Sequence, residues 1–152
     1  MRVGIAGYGL AGRYFHAPLL KGCGYEVVAI QTSNAERAGH ALADFPRVNV
    51  VATIQELVAH KLDLVVVASA NLVHAEHAYA AINAGIPVVV DKPMGRTFAE
   101  TAEIISAGER EGVPVSTFFN RRWDSDALTI KKVLASGVLG TIHRMDSRFE
   151  RF

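Results

Sequence analysis

The chain begins with a short apolar segment that runs directly into a glycine-rich turn. Residues 3–12 read Val-Gly-Ile-Ala-Gly-Tyr-Gly-Leu-Ala-Gly, which places Gly7, Gly9 and Gly12 in a G-x-G-x-x-G pattern. The first glycine allows a tight turn, the second lets a diphosphate approach the backbone, and the third lets the following helix pack closely on the strand. Because a strand precedes the pattern and a helix-forming segment follows it, the pattern predicts a nucleotide-binding turn whose helix N-terminus faces phosphates.

Apolar runs of strand length alternate with helix-forming segments over residues 1–120. The runs are nearly continuous in apolar residues, which is typical of strands covered on both faces of a parallel sheet. The predicted strands are Arg2–Ala6, Tyr25–Gln31, Val48–Val51, Leu62–Ala68, Ile86–Val90 and Pro114–Phe119. The predicted helices are Leu10–Leu20, Asn34–Ala43, Ile54–Ala59, Leu72–Ala84 and Phe98–Glu111. This alternation predicts a doubly wound (Rossmann) α/β fold for residues 1–120.

Residues at the ends of the predicted helices agree with their boundaries. Asn71 and Thr97 are favourable N-cap residues, and Gly85 and Gly112 stand where helices commonly end. These positions support the helices before and after the fifth predicted strand.

The pattern changes after residue 120. Ser125–Ser136 predicts a helix, and Thr141–Phe152 alternates apolar and charged residues, as in a strand with one exposed face. No segment remains to pair with that strand, and an unpaired edge strand favours aggregation. We therefore expect residues 121–152 to be the beginning of a second, incomplete α+β domain.

Composition excludes several classes of protein. Half of the residues are hydrophobic, a fifth are charged and the net charge is +1, so neither disorder nor a general attraction to nucleic acid is expected. Cys23 is the single cysteine, which excludes a disulfide within the chain and favours a reducing, cytoplasmic location. Met1 and Arg2 lead directly into the first strand, so we expect no signal peptide, and no apolar run is long enough to span a membrane.

The segment after the second strand bears on coenzyme choice. An acidic residue that would hold the adenosine ribose is expected about twenty residues beyond the glycine turn, but residues 30–34 contain no carboxylate. Glu36 follows later and is expected to face solvent. Ser33 and Arg37 could instead bind a 2′-phosphate, which modestly favours NADP over NAD. The alternative, that Arg37 is an ordinary surface arginine, remains open at this point.

Asp91-Lys92-Pro93 follows the fifth strand, at the sheet edge where ligands of open α/β folds bind. Hydride transfer at a carbinol requires a group that moves the hydroxyl proton, and a lysine can do this if its pKa lies near the operating pH. The alternative is a solvated lysine at a strand end. The glycine turn at the same edge favours the functional interpretation.

The junction after the fourth strand carries further candidates. Ser69 and Asn71 are expected to flank the nicotinamide end of a dinucleotide, with Asn71 as the helix cap. His74 and His77 are three residues apart, but no cysteine or third ligand accompanies them, so they are expected to be helix-surface histidines and not a zinc site. No motif of a nucleophilic hydrolase is present.

Together, these motifs resemble the Gfo/Idh/MocA family, which includes glucose–fructose oxidoreductase and inositol dehydrogenase. The resemblance covers essentially the whole chain and rests on the segments Gly7–Gly12, Asn71–His74, Ala84–Val88, Asp91–Pro93 and Phe119–Asp124. The family's acidic-Lys-Pro signature usually begins with Glu, so Asp91 is a small departure that leaves the lysine in place.

The resemblance implies an NAD(P)-dependent oxidoreductase acting on a sugar, a polyol or a related hydroxy compound, with Lys92 as the catalytic, proton-handling residue. It also implies a cis Lys92–Pro93 bond, further catalytic residues in the C-terminal domain, and a homo-oligomer formed through that domain. The residues expected to contact the coenzyme are Gly7, Tyr8, Gly9, Leu10, Ala11, Gly12, Ser33, Arg37, Ser69, Asn71, His74, Lys92 and Arg122.

Two other functions use the same sheet. A non-catalytic NAD(P)-binding sensor would keep the glycine turn without needing Lys92. A methyltransferase is disfavoured, because that class has no use for a Lys-Pro pair after the fifth strand and would also be expected to carry an acidic residue after the second.

Overall fold

A parallel sheet forms the centre of the first part of the chain. The computed structural model describes residues 1–148 and 150. Within them, six parallel strands are ordered β3-β2-β1-β4-β5-β6. The strands are β1 Arg2–Ala6, β2 Glu26–Gln31, β3 Asn49–Val51, β4 Leu64–Val67, β5 Val88–Val90 and β6 Val115–Thr117. This is the doubly wound order with a switch point between β1 and β4, and it confirms the predicted fold class.

The helices connect successive strands. They are α1 Ala17–Gly22, α2 Ala35–Asp44, α3 Ile54–Val58, α4 His74–Asn83 and α5 Phe98–Glu111. A π-helical turn over Gly12–His16 precedes α1, and a 3-10 turn over Asn71–Val73 precedes α4. The predicted first helix, Leu10–Leu20, therefore contains a locally widened turn that begins at the last glycine of the pattern, a feature that is frequent near functional sites.

Both faces of the sheet are covered by apolar side chains. Val65 and Val67 of β4 pack in one buried cluster, with residues of α3, α4 and α5. Val66 and Ala68 pack in the other cluster, with residues of α1 and α2. Because successive side chains of a strand point to opposite faces, burial on both faces requires the continuous apolar runs seen in the sequence.

The helix caps agree only partly with expectation. Thr97 caps α5 by accepting a hydrogen bond from the Glu100 N–H, and Gly112 ends that helix in the left-handed conformation, as predicted. The prediction that Asn71 caps α4 is wrong, because Asn71 is the first residue of the 3-10 turn and Val73 precedes the helix without a side-chain cap. The extra turn moves the helix start from the predicted Leu72 to His74, two residues along the chain.

The chain divides into two compact units between Phe118 and Phe119. The second contains a 3-10 turn over Asn120–Trp123 and helix α6, Ser125–Ala135. The prediction of a strand over Thr141–Phe152 is wrong for residues 141–148, which form no strand. An isolated extended segment has no neighbouring N–H and C=O groups with which to form a ladder. The end of the predicted strand, Phe149 and 151–152, lies outside the described residues.

Among the described residues, no helix combines the length and the apolar character needed to cross a bilayer.

Candidate functional site

The glycine turn lies at the carboxyl edge of the sheet, at the switch point between β1 and β4. Gly7 has a positive φ of 93°, and its N–H donates to the Gln31 carbonyl of β2 at 2.9 Å. A Cβ at this position would lie 2.6 Å from Ser69 Cα and 2.7 Å from Ser69 N. Only glycine combines this conformation with so close an approach to the loop after β4.

The helix that follows the turn is held by two further features. A Cβ on Gly12 would collide with the Gly7 carbonyl oxygen, so the absence of a side chain lets the helix pack on the turn. The Tyr8 side chain is buried, and its hydroxyl donates to Asp44 Oδ2 at 3.0 Å. Arg13 Nε donates to the same oxygen at 2.8 Å. Tyr8 therefore anchors the turn to α2.

Electrostatics in this cluster follow from burial and hydrogen bonding. Burial, followed by the hydrogen bond to Asp44, raises the pKa of the Tyr8 phenol above its usual value of 10. The hydrogen bond from Arg13 outweighs desolvation and lowers the pKa of the Asp44 carboxyl. The cluster thus holds a neutral phenol beside an ionised carboxylate and a guanidinium.

Arg37 lies against the second glycine of the pattern. A Cβ on Gly9 would be 3.6 Å from the Arg37 Cζ, and its three nearest neighbours would all be guanidinium atoms. A pocket of about 310 Å³ opens here. It is lined by Tyr8, Gly9, Leu10, Arg13, Tyr14, Glu36, Arg37 and His40. Gly9 is therefore accessible from solvent, and the exposed Arg37 guanidinium lies next to it.

The segment after β2 carries no acidic group at residues 31–34. Gln31 donates from its side chain to the Ala52 carbonyl at 2.9 Å, Thr32 is buried, and Asn34 caps α2 by accepting from the Arg37 N–H. Ser33 is exposed in this turn but is not among the residues that line the pocket. Glu36 faces solvent, as expected.

Asp91 and Lys92 follow β5 at the same sheet edge. The Lys92 N–H donates to Asp91 Oδ1 at 2.9 Å, and Lys92 Nζ lies 4.0 Å from that oxygen. Lys92 is about half exposed, and its peptide bond to Pro93 is cis, which confirms that prediction. Asp91 also lies 3.9 Å from His16 Nε2, an ion-pair distance and not a hydrogen bond.

The charge of Asp91 is held by its neighbours. Burial alone would raise the pKa of this carboxyl, but the His16 ring, the Lys92 N–H and the Lys92 ammonium together leave it below its usual value. His16 belongs to the π-helical turn after the glycine pattern and packs on the Phe118 ring at 4.3 Å between centroids. The turn and the end of β5 are therefore neighbours.

His74 joins the ends of β4 and β5. Its Nδ1 lies 2.8 Å from the Pro93 carbonyl oxygen and its Nε2 lies 3.1 Å from the Ser69 carbonyl oxygen. The expectation that His74 and His77 lie on the helix surface is wrong, because their side chains are 1% and 7% exposed. Sequence periodicity gave no signal of this, since histidine occurs both in cores and on surfaces.

The remaining candidates have varied environments. Leu10 and Asn71 are exposed and Ala11 is half-buried. The Ser69 hydroxyl is buried without a hydrogen-bond partner in the described part of the chain. Arg122 belongs to the second unit, where its guanidinium lies 5.7 Å from the Phe119 ring centroid. Within residues 1–148 and 150, no three His, Cys, Asp or Glu side chains form a metal site.

Comparison with known proteins places this geometry in a family. The model of an oxidoreductase family with an NAD-binding Rossmann fold, Gfo/Idh/MocA, matches residues 1–119. The chain belongs to the Gfo/Idh/MocA family. This confirms the resemblance drawn from the glycine turn and the Lys-Pro segment. It also identifies the parallel sheet and its helices as an NAD-binding type of Rossmann fold.

Individual Gfo/Idh/MocA relatives agree. The chain is 42% identical to the uncharacterized oxidoreductase YdgJ of Escherichia coli, over 100% of the chain and 44% of YdgJ. It is 39% identical to scyllo-inositol 2-dehydrogenase (NADP(+)) IolW of Bacillus subtilis, over 100% of the chain and 42% of that protein. The chain therefore spans less than half the length of either relative.

A solved structure supports the fold alone. The myo-inositol 2-dehydrogenase of Lactobacillus plantarum superposes with a TM-score of 0.85 over 93% of this chain and 43% of that chain, at 24% identity.

Proposed function

We propose that this chain is the coenzyme-binding part of an NAD(P)-dependent oxidoreductase that interconverts a CH–OH group and a carbonyl in a sugar, a polyol or a related hydroxy compound. This proposal is supported by a continuous series of contacts that connects the glycine turn, where a coenzyme diphosphate would bind, with Lys92. Gly7 packs on Ser69, the Ser69 carbonyl faces the His74 ring, and that ring faces the Pro93 carbonyl beside Lys92. The name of IolW supports the substrate class.

The residues at the carboxyl edge fit a dinucleotide. Gly9 leaves its main chain open to a diphosphate, and the helix N-terminus behind it favours negative charge. The Ser69 hydroxyl, which has no hydrogen-bond partner among the described residues, adds a buried polar group at the switch point. A bound nicotinamide would supply the hydride acceptor or donor, while Gly7, Gly9, Gly12 and the segment Ser69–Asn71 would hold the molecule.

NADP is the proposed coenzyme in preference to NAD. Within the described residues, the Arg37 guanidinium forms no ion pair, and it lies beside Gly9 in the lining of the 310 Å³ pocket, here called the Gly9 pocket. A 2′-phosphate would place its charge beside this cation, and charge-assisted hydrogen bonds from arginine to phosphate are strong. Residues 31–34 offer no carboxylate to accept from a free 2′-hydroxyl.

Lys92 is the proposed proton-transfer group. When a substrate alcohol is oxidised, the neutral amine would take the hydroxyl proton while the hydrogen on the same carbon leaves as hydride to a bound nicotinamide. In the reverse direction the ammonium returns the proton to the carbonyl oxygen as hydride adds to carbon. Asp91 accepts from the Lys92 N–H and attracts the ammonium, so it holds the residue at the sheet edge.

We assign substrate binding and oligomer formation to the part of the protein that follows the parallel sheet. In this proposal, residues 121–152 begin a C-terminal domain that binds substrate and forms a homo-oligomer interface, and the protein acts in the cytoplasm. Helix α6 supports this proposal, because it exposes apolar side chains on which a larger domain could pack, namely Leu128, Ile130, Val133 and Leu134. The greater length of YdgJ and IolW also supports it.

The test uses the full-length protein, incubated with NADP+ or NAD+ and a panel of inositols and other polyols. We expect coenzyme-dependent oxidation, seen as absorbance of the reduced nicotinamide. Lys92→Met should remove turnover and leave coenzyme binding intact. Lys61→Met, at an exposed position before β4 and away from the carboxyl edge, should change neither. Binding of NADPH without turnover of any compound by the wild type would instead favour a sensor.

A further inference from the structure

His74 occupies a position that a surface or coenzyme-contacting histidine would not have. It is the first residue of α4 and its side chain is 1% exposed. Each ring nitrogen faces a carbonyl oxygen, Nδ1 that of Pro93 at 2.8 Å and Nε2 that of Ser69 at 3.1 Å. The two carbonyls belong to different loops, one after β4 and one after β5.

The chemistry of these contacts limits how the ring can be used. A carbonyl oxygen only accepts hydrogen bonds, so each contact requires an N–H on the histidine. The neutral Nδ1–H tautomer and the doubly protonated ring both carry a proton on Nδ1, and the shorter contact of Nδ1 favours these forms over the Nε2–H tautomer. The ring therefore donates to Pro93.

We propose that His74 is a positioning residue for Lys92: its Nδ1–H donates to the Pro93 carbonyl and holds the Lys92–Pro93 turn against the end of β4. This inference rests on the proposed function, because it gives the turn a purpose in proton transfer. It assigns to His74 a role through the main chain and not through contact with the coenzyme.

Lys92 needs such support because its own side chain is weakly restrained. The Lys92 side chain is half exposed and its Nζ lies 4.0 Å from Asp91 Oδ1, and a lysine stem has several rotatable bonds. Asp91 holds the turn on one side, through the Lys92 N–H, and His74 holds it on the other, through Pro93. Proton transfer requires hydrogen-bond reach to the substrate oxygen, so a displaced turn lowers turnover.

Three variants of the full-length protein separate the two ring contacts. The amide nitrogen of His74→Asn can take the place of Nδ1, that of His74→Gln the place of Nε2, and His74→Leu supplies neither. We expect kcat for polyol oxidation to fall by up to about 10²-fold in the Gln and Leu variants, with recovery in the Asn variant. The dissociation constant of NADPH should be unchanged in all three.

A wild type that turns over polyol while the three variants match it in kcat would overturn this inference alone. A wild type that binds NADPH and turns over no polyol would overturn the proposed function as well.

Nitrogen NMR of the wild-type imidazole decides the hydrogen bond without any variant. In a sample of the protein labelled with ¹⁵N and ¹³C, a His74 Nδ1 signal with a bonded proton is expected, assigned by through-bond correlations within the wild-type His74 residue. An Nδ1 that carries no proton would overturn the inference even if turnover and coenzyme binding are normal. Because it is made on the folded wild type, this measurement holds even if a variant fails to fold.

Discussion

Gly7 and Ser69 meet main chain to main chain, so that a Cβ on Gly7 would lie 2.6 Å from Ser69 Cα and 2.8 Å from the preceding carbonyl oxygen of Ala68. This contact joins the turn after β1 to the loop after β4, across the switch point of the sheet. It places the glycine pattern and the loop leading to His74 in one structural unit, which is why a single methyl group is expected to disturb both.

Gly7→Ala should destabilise the protein and weaken NADPH binding. The left-handed backbone alone costs a non-glycine residue roughly 1–2 kcal/mol, and the collision with Ser69 adds to it. Urea unfolding gives the stability, and quenching or enhancement of NADPH fluorescence gives the binding. Gly39→Ala is the matched control, because Gly39 lies in α2 with nothing near its Cβ position. It should stabilise by about 0.5–1 kcal/mol, and equal effects of the two changes would refute the steric argument.

Arg37→Gln should weaken NADP+ binding by about 10- to 100-fold and leave NAD+ binding nearly unchanged, since charged hydrogen bonds contribute about 1.5–3 kcal/mol. Calorimetric titration with each coenzyme measures this. Arg47→Gln removes an exposed charge outside the Gly9 pocket and should leave both affinities intact. An equal loss of affinity for NADP+ and NAD+ would mean that Arg37 does not bind the 2′-phosphate.

Tyr8→Phe should lower the free energy of unfolding by about 1 kcal/mol, because the buried hydroxyl bonded to Asp44 is lost. The raised pKa of Tyr8 makes the folded state bind a proton that the unfolded state releases near pH 10. Stability from this group is therefore complete below pH 10 and declines above it. Urea unfolding from pH 8 upward should show a shallower decline in the variant, and identical slopes would contradict the assignment.

Asp91→Asn should make the free energy of unfolding fall less steeply as the pH is lowered below about 4. The pKa of Asp91 is below its usual value of 3.8 in the folded state, so the unfolded chain takes up a proton first as the pH falls. The stability contributed by this carboxylate is present above pH 3.8 and is lost below it. Unfolding curves between neutral and acid pH compare the variant with Asp126→Asn, a change at an exposed position. If Asp91→Asn follows the wild-type curve at every pH, the contacts of Asp91 with His16 and Lys92 contribute nothing to stability.

Features that depend on neighbouring residues in the chain could be predicted from sequence. Continuous apolar runs identified the six strands, with boundaries within about two residues. The spacing of Gly7, Gly9 and Gly12 identified the turn, because each glycine answers a local steric need. Thr97 and Gly112 identified the ends of α5 for the same reason.

Features that depend on residues distant in the sequence could not be predicted from the sequence. Nothing around His74 in the sequence indicates that Ser69 and Pro93 carbonyls converge on its ring, since they come from separate strands. The burial of Tyr8 on Asp44 likewise joins residues that are 36 positions apart. The segment Thr141–Phe152 has the alternation of a strand, but its residues 141–148 form none, because a strand is stabilised by hydrogen bonds to a neighbouring strand.

By itself, the sequence determined a doubly wound sheet with a glycine turn at its start and a Lys-Pro pair after its fifth strand, because periodicity and backbone sterics act over a few residues. Only the tertiary structure decided that the Arg37 guanidinium lies on Gly9 and that His74 links the two loops beside Lys92. Those contacts arise where parallel strands end side by side, and strand order is set by packing over the whole sheet.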